Sequence, residues 1–438
     1  AKAAGQEIQD ALRLGKSGLA TKFRDAPLTL HNLFQNLGAV TAAPGLNTLG
    51  KLLAGVPAII VAAGPSLKKN IQDLKHAGDH FLILATDTAF EPLRRAGITP
   101  HLVVTVDPTE LNLKHFQTSL YGPETVLLFD PEARPELPPR FAQRMTFLTD
   151  KHPFFTWLNQ RIGDKGLVHK GGMVSQAGIY AAHYWNCRPI ILVGQDLALD
   201  PDTGATHDPH TALCRNARYL EGDANKVDIP LGVEKAGAGI SRETLYWVEG
   251  VDGRPVPTLH NLLVYLRMLE EDIRMMGLDV IDATEGGAKI QGTRILRLAD
   301  AVAQYRNGSI GVQSVLDKAG TVEISPPGAS IPYQLLELMR FRGETARKGL
   351  HFLTHTSPLA MQDLEKELER FRERIFSDPA ADYLIENAAP RELFEFLKLG
   401  PADLTDEEER RQLMKRYRAL FTATLQALER IEEWIKTG

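Results

Sequence analysis

The middle of the chain alternates between continuous apolar runs and helical stretches. Apolar and β-branched runs lie at Ala58–Ala63, Phe81–Asp87 and Pro100–Pro108, and such runs are typical of strands that are buried on both faces of a sheet. Apolar residues with helical spacing follow the first two runs, at Leu67–Leu74 and Phe90–Ala96. The order strand, helix, strand, helix, strand with short turns predicts a doubly wound parallel α/β sheet.

The same pattern continues further along the chain. We expect short strands at Val126–Phe129 and Met145–Leu148, an almost wholly apolar strand at Pro189–Leu197, and a last strand at Val280–Thr284. Residues 200–260 lose periodicity and contain many Gly and Pro. A long irregular region inside a compact domain is more often an active-site loop or lid than filler, so a lid is expected there.

Four segments follow from this pattern. Residues 1–50 read as a helical segment, the remnant of a longer N-terminal region, and residues 51–300 as a central Rossmann-like domain. Residues 301–332 read as a linker, and residues 333–438 as a C-terminal all-α domain. Charged stretches of the last segment alternate in sign, which favours solvated helix faces over a nucleic-acid surface.

Four of the predicted strands of the central domain end in residues that can carry chemistry. Gly64-Pro65-Ser66 follows the first strand, Asp87 and Asp107 end the next two, and Gln195-Asp196 ends a later one. Ligands of such sheets bind at the carboxyl ends of the strands. A turn into a helix N-terminus suits phosphate, whereas a plain turn with Ser66 as N-cap is the alternative. Either Asp can be a turn residue, but a carboxylate at the end of a buried strand favours function for Asp196.

A second glycine turn and two histidines complete the candidate site. Gly171 and Gly172 precede a predicted helix that starts at Ser175, so a second helix N-terminus is expected to face the site. His207 and His210 lie in the irregular region with an Asp between them, and this combination suits general-base work near neutral pH. Metal ligands and solvated loop histidines are the alternatives, and no third ligand with convincing spacing is present.

Composition limits the class of protein. A chain of 438 residues with 43% hydrophobic residues is long enough for two or three domains with sizeable cores. Its net charge of -5 gives no global reason to expect nucleic acid. Cys187 and Cys214, the two cysteines, cannot build a disulfide framework or a cysteine-based zinc site, which fits a reducing compartment. Without a long uncharged apolar run or a secretory signal, we expect a cytoplasmic protein with no membrane span.

Several of these blocks together resemble the motility-associated factor family of bacterial flagellin glycosyltransferases. The central domain of that family is shared with archaeal hydroxymethylpterin pyrophosphokinase-like (MptE-like) proteins. The resemblance covers roughly residues 50–300 and rests on Ile60–Leu67, Ala85–Asp87, Gly97–Asp107, Gly171–Ser175, Leu192–Leu197, Ala283–Ala288 and Gly292-Thr293.

The same core is similar to bacterial sialyltransferases that use a CMP-sugar, a GT-A-like variant of the Rossmann-like fold. In those enzymes a Gly-Asn-Gly-Pro-Ser turn contacts the nucleotide. Here Ala63 replaces the Asn, so recognition at this turn would rest on the backbone. Their donor-binding turn corresponds to Met173-Val174-Ser175 and their Gly-x-Asp strand end to Gly194-Gln195-Asp196. Their loop histidine base corresponds to His207 or His210.

The resemblance implies transfer of a nonulosonic acid of pseudaminic or legionaminic type. The donor would be CMP-activated and the acceptor a Ser or Thr of flagellin, as flagellum assembly and motility require, with the C-terminal helices as the place to bind flagellin. The need for a divalent metal stays open. Donor-binding residues would be Gly64, Pro65, Ser66, Asp87, Gly171, Gly172, Ser175 and Gln195. Catalytic candidates would be Asp107, Asp196, His207 and His210.

Two other functions are compatible with the same core. A Mg·ATP-dependent pterin pyrophosphokinase would hold its metal with Asp87, Asp107 or Asp196, since carboxylates suit hard cations. The long helical segment counts against it, because a small-molecule kinase needs no protein-binding module. A non-catalytic flagellin-binding protein would have kept only the fold, and fold alone cannot exclude it.

Overall fold

The computed structural model describes residues 25–437 except 151, 170, 221–222, 231–238, 307–310, 321–329, 356–358 and 398–404. Residues 1–24 of the predicted N-terminal segment and residues 307–310 and 321–329 of the predicted linker therefore lie outside the described residues.

Strands and helices alternate through the central part of the chain. The strands are β1 (Ala58–Val61), β2 (Leu82–Thr86), β3 (Leu102–Thr105), β4 (Tyr121–Phe129), β5 (Phe141–Thr146), β6 (Leu148–Thr149), β7 (Leu167–Val168), β8 (Ile190–Val193), β9 (Arg218–Leu220), β10 (Asp223–Pro230), β11 (Ile240–Glu249), β12 (Pro255–Leu259), β13 (Val280–Asp282) and β14 (Arg294–Ile295). The helices are α1 (residues 25–42), α2 (Leu67–Asn70), α3 (Asp87–Arg95), α4 (Pro153–Ile162), α5 (Val174–Tyr184), α6 (His260–Met276), α7 (Leu298–Tyr305), α8 (Val312–Gly320), α9 (Ser330–His355), α10 (Met361–Ile375), α11 (Pro379–Ala388), α12 (Pro390–Leu397) and α13 (Asp406–Thr437).

A large parallel sheet organises the central part of the chain. Its strand order is β14-β13-β8-β1-β2-β3-β4-β5, and every neighbouring pair is parallel. The chain proceeds outward from β1 to β5 on one side and places β8, β13 and β14 on the other. The predicted doubly wound parallel sheet is confirmed, and its strand order reverses between β1 and β8, which is where such sheets bind ligands.

Alternate residues of β1 face two different cores. Ile59 and Val61 pack in a cluster with α2, α3 and α7, whereas Ala58 and Ile60 pack in a cluster with α5 and α6. Burial of every β1 residue explains the continuous apolar run, because neither face of the strand contacts water.

A second sheet occupies part of the region predicted to be irregular. Strands β9–β12 form an antiparallel sheet with the order β12-β11-β10-β9, so the prediction that residues 200–260 are irregular is wrong for these strands, which begin at Arg218 and end at Leu259. This sheet buries few side chains, among them Val227 and Leu245, and β11 is mostly exposed. The alternation of apolar residues that identifies a strand is therefore weak in the sequence.

The C-terminal helices pack on one another and on the sheet domain. Helices α9 and α13 approach so closely that a Cβ at Gly349 would overlap the ring of Phe421. Phe154 of α4 stacks on Tyr383 of α11 with ring centroids 4.4 Å apart. In the described part of the chain, no helix is both long and apolar enough to cross a membrane.

Candidate functional site

A cavity of 420 Å³ opens at the carboxyl ends of β1 and β8, where the strand order reverses. It is lined by Ala62, Ala63, Gly64, Pro65, Thr86, Thr88, Val106, Asp107, Pro108, Gly172, Met173, Val174, Ser175, Gly194, Gln195, Asp196, Leu197, Ala198, Thr206, His207, Leu262 and Tyr265. Of the predicted site residues, the structure brings Gly64, Pro65, Asp107, Gly172, Ser175, Gln195, Asp196 and His207 to this wall.

The turn after β1 does not offer the predicted phosphate cradle. The Gly64 N–H donates to the Gly194 carbonyl oxygen over 2.7 Å, Pro65 has no N–H, and the Ser66 N–H donates to Asp196 Oδ1 over 3.0 Å. Helix α2 has only four residues and adds little dipole. Although Gly64 and Pro65 line the cavity, the expectation that this turn binds phosphate through its backbone is corrected, because its donors serve the protein itself.

Asp196 takes the place that the phosphate was expected to occupy. Its carboxylate accepts from the Ser66 backbone and, through Oδ2, from the Ser66 hydroxyl over 2.8 Å. A Cβ at Gly64 would overlap the Asp196 carboxylate, and one at Gly287 would overlap its backbone. Burial raises the pKa of Asp196 to about 7, against the hydrogen bonds from Ser66 and the charge of Lys69, which lower it. Both carboxylate oxygens therefore hold the turn, and we expect Asp196 to have this structural role rather than that of the base.

The N-terminus of α5 faces the cavity instead. Met173, Val174 and Ser175 line the wall, and the first N–H groups of a helix have no acceptor within that helix. Gly172 also lines the wall, but its N–H donates to Gln176 Oε1 over 2.8 Å. Gly171 lies behind the wall, where a Cβ would overlap the Gln176 side chain. The predicted second helix N-terminus thus reaches the cavity through Gly172 and Ser175, without Gly171.

Gln195 presents an unsatisfied acceptor in the cavity wall. Its side chain is 4% exposed, and among the described residues its Oε1 has no hydrogen-bond partner. Its Nε2 lies 3.7 Å from Met173 Sδ. A buried acceptor without a partner costs roughly 1–3 kcal/mol, so a ligand with an O–H or N–H donor at this point would remove a penalty.

Asp107 and His207 are the predicted catalytic residues that line the wall with usable side chains. Asp107 is partly exposed, and its Oδ1 accepts from the Thr109 N–H over 2.7 Å. His207 Nδ1 lies 3.1 Å from Thr206 Oγ1. Burial, with the nearby charges of His115 and Arg215, lowers the pKa of His207 to about 4. The imidazole is therefore neutral at physiological pH and has a lone pair that can accept a proton.

The prediction that His210 belongs to the site is wrong. Its side chain is 57% exposed and its Nδ1 lies 3.1 Å from Asp208 Oδ1, and it does not line the cavity. The predicted pairing of a histidine with an aspartate thus exists on the surface, while the cavity histidine, His207, has a threonine as its neighbour. Among the described residues, no group of three or more His, Cys, Asp or Glu side chains is arranged to hold a metal ion.

Asp87 lies behind the cavity rather than in its wall. Its Oδ1 accepts from the Thr88 N–H over 2.8 Å, and its Oδ2 lies 3.3 Å from the Thr105 hydroxyl. Burial, reinforced by the charge of Asp107, raises its pKa to about 7. The side chain supports the ends of β2 and β3, so its predicted role in contacting the donor is corrected, and Asp87 is also removed from the candidate Mg²⁺ ligands of the kinase alternative.

Several wall residues escaped the sequence analysis. Thr86 and Thr88 flank the predicted Asp87, and Leu262 and Tyr265 come from α6, which starts directly after β12. A strand-end search could have found the threonines. No local signal marks Leu262 or Tyr265, because they read as ordinary positions of an amphipathic helix.

Comparison with known proteins agrees with this architecture. Residues 31–202 match the family model of the 6-hydroxymethylpterin diphosphokinase MptE-like proteins. A stretch of 51 residues is 41% identical to an uncharacterised protein of Treponema pallidum (strain Nichols), covering 12% of this chain and 24% of that one.

A solved structure is similar over most of the chain. The MAf glycosyltransferase from Magnetospirillum magneticum AMB-1 matches with a TM-score of 0.54 at 14% sequence identity, over 93% of this chain. The chain spans 61% of the length of that protein. At this identity the likeness shows a shared fold. The predicted resemblance is therefore confirmed as an MptE-like match over residues 31–202 and as a fold shared with a MAf glycosyltransferase over most of the chain.

Proposed function

We propose that this protein is a glycosyltransferase that moves a nonulosonic acid from a CMP-activated donor to a Ser or Thr hydroxyl of flagellin, in the cytoplasm. The observation that carries the proposal is the cavity between β1 and β8. It combines a helix N-terminus suited to a phosphate with two side chains, Asp107 and His207, that can take a proton. The fold shared with the MAf glycosyltransferase supports the class of reaction, and the sequence resemblance supplies the donor and acceptor.

In this reaction, residues of the cavity wall must hold the phosphate, take a proton from the acceptor hydroxyl and bind a polar group of the donor. The acceptor hydroxyl oxygen attacks the anomeric carbon, the bond from that carbon to the phosphate oxygen breaks, and CMP leaves with the electron pair. The N-terminus of α5, at Val174 and Ser175, is suited to hold the phosphate and to stabilise the charge that grows on it. Asp107 or the neutral His207 takes the hydroxyl proton. Gln195 Oε1 takes a hydrogen bond from an O–H or N–H group of the donor, which satisfies an otherwise unpaired acceptor.

A pterin diphosphokinase is the second candidate, because the matching family model carries that name. The same cavity would then bind ATP and a pterin. The carboxylates that such an enzyme would use for Mg²⁺ favour the transferase instead, since Asp87 does not line the cavity and both oxygens of Asp196, which does, accept hydrogen bonds from Ser66. Asp107 is the other carboxylate in the wall.

One experiment separates the candidates. Purified protein is incubated with unglycosylated flagellin and CMP-activated nonulosonic acids, with EDTA or Mg²⁺, and the flagellin is weighed by mass spectrometry. We expect a mass increase of one sugar residue or more, and calorimetry should show binding of CMP in preference to Mg·ATP. Flagellin that binds without any mass shift would favour a non-catalytic binding protein. Binding of Mg·ATP without CMP would favour the kinase.

A further inference from the structure

The side chain of Gln176 holds the glycine turn that precedes α5. Gln176 is fully buried, and its Oε1 accepts from the N–H groups of Gly172 and Met173 over 2.8 and 3.2 Å. The close packing of Gln176 against Gly171 leaves no room for a Cβ there. The position of the turn therefore depends on how the Gln176 amide is oriented.

The orientation of that amide depends on a residue from another helix. Gln176 Nε2 donates to Asp272 Oδ2 over 2.6 Å, and the Tyr180 hydroxyl donates to the same oxygen. A carboxylate accepts and does not donate, so the amide nitrogen must point at Asp272 and the amide oxygen at the turn. An amide turned the other way would set its NH₂ against two N–H donors.

Asp272 also stands on the helix face that lines the cavity. Tyr265, which is part of the wall, precedes Asp272 by seven residues, which is about two turns of α6 and keeps both side chains on one face. Helix α6 begins directly after β12. The carboxylate thus links the antiparallel sheet and α6 to the turn at the cavity.

We propose that Asp272 is a positioning residue for the anion-binding end of α5. Its carboxylate fixes the Gln176 amide, and Gln176 engages the N–H groups of Gly172 and Met173. The N–H groups of Val174 and Ser175 are then aimed at the cavity for a phosphate ester. The statement about the ligand rests on the proposed function; the statement about the turn does not.

Hydrogen–deuterium exchange of the whole protein without ligand tests the link to the turn. In Asp272→Ala we expect the amides of Gly172 and Met173 to exchange at least tenfold faster than in the wild type. Glu271→Ala, which removes the neighbouring exposed carboxylate, is the matched control and should leave them slow. Tyr180→Phe removes the other donor to Asp272 and should also leave them slow. Unchanged exchange in Asp272→Ala overturns the proposal, whether or not the protein binds a nucleotide.

Calorimetry with CMP tests the consequence for the ligand. We expect the Kd for CMP to rise at least tenfold in Asp272→Ala and to stay unchanged in Glu271→Ala. Faster exchange with an unchanged Kd would overturn the placement of the phosphate at α5. If wild-type protein binds no CMP, the proposed function fails while the exchange result still decides the role of Asp272.

A double variant keeps the test meaningful if Asp272→Ala is unstable. Gln176→Glu sets two carboxylates side by side and should loosen the turn. Adding Asp272→Asn places an NH₂ group where Oδ2 was, so it can donate to both Glu at position 176 and Tyr180. We expect slow exchange and the melting temperature to recover, but CMP to bind at least tenfold more weakly than in wild type, because a negative charge now lies at the turn. Exchange that stays fast in the double variant would overturn the positioning role of Asp272, and full recovery of CMP affinity would overturn the placement of the phosphate at α5.

Discussion

Replacing Asp196 by Asn and by Ala separates its structural role from any chemical one. Asp196→Ala leaves the Ser66 N–H and hydroxyl without their acceptors. A buried unsatisfied donor costs roughly 1–3 kcal/mol, so the two together should lower the free energy of unfolding by about 2–6 kcal/mol. Asp196→Asn keeps both contacts, because its Oδ1 can accept from the N–H while its NH₂ donates to the Ser66 oxygen, whose proton is free to rotate.

The pH dependence sharpens this prediction. The pKa of Asp196 is about 7 in the folded protein and about 3.9 when unfolded, so the folded state holds more protons between these values. Its contribution to stability is full below pH about 4 and is lost as the pH rises through 7, by at most about 3 kcal/mol between pH 5 and pH 8. Asp196→Asn cannot titrate. At pH 8 it should match or exceed the wild type in stability.

Urea unfolding at pH 5 and pH 8, followed by the transfer assay, measures both effects. We expect Asp196→Asn to be as stable as the wild type at pH 8 and to retain transfer, whereas Asp196→Ala is destabilised at both pH values. If Asp196→Asn were as unstable as Asp196→Ala, the hydrogen-bond argument would be refuted. A stable Asp196→Asn without transfer would show that the carboxylate itself takes part in the reaction.

Further predictions concern the catalytic base, a supporting carboxylate and a buried lysine. Asp107→Asn and His207→Gln should each leave the Kd for CMP within about threefold of wild type. The substitution that removes the catalytic base should lower kcat by about 10²–10⁴-fold. A wild-type kcat in both variants would exclude these two side chains as the base. Between pH 5 and pH 8, Asp87→Asn should lose less unfolding free energy than the wild type, since burial raises the pKa of Asp87 to about 7 and Asn cannot titrate. A pH dependence of urea unfolding equal to that of the wild type would contradict this. Lys165→Met should lower the free energy of unfolding by about 2–4 kcal/mol, because the buried ammonium donates to the Thr41 and Ala43 carbonyl oxygens over 3.0 and 2.7 Å and leaves both unsatisfied when removed; a thermal melt equal to wild type would refute it.

The rule that ligands bind at the carboxyl ends of parallel strands predicted the cavity residues that follow strands, but not those in loops. Asp107 and Gln195 reach the cavity, as expected of residues that end neighbouring or nearby strands of a parallel sheet. His210 illustrates where the argument fails. It lies three residues from His207, yet it is exposed while His207 lines the cavity. The two histidines lie in a loop, where the spacing of residues along the chain does not predict the direction of their side chains.

The sequence by itself determined the doubly wound sheet and the edge where the cavity lies, because burial on both faces leaves a continuous apolar signature and because parallel strands end together. Only the tertiary structure decided which groups remain free at that edge. Asp196 meets Ser66 across 130 positions of the chain, and Asp272 meets Gln176 across 96. Such contacts depend on how separate elements pack. They are the reason why we place the proposed anion-binding end of the cavity at the start of α5 and not at the turn after β1.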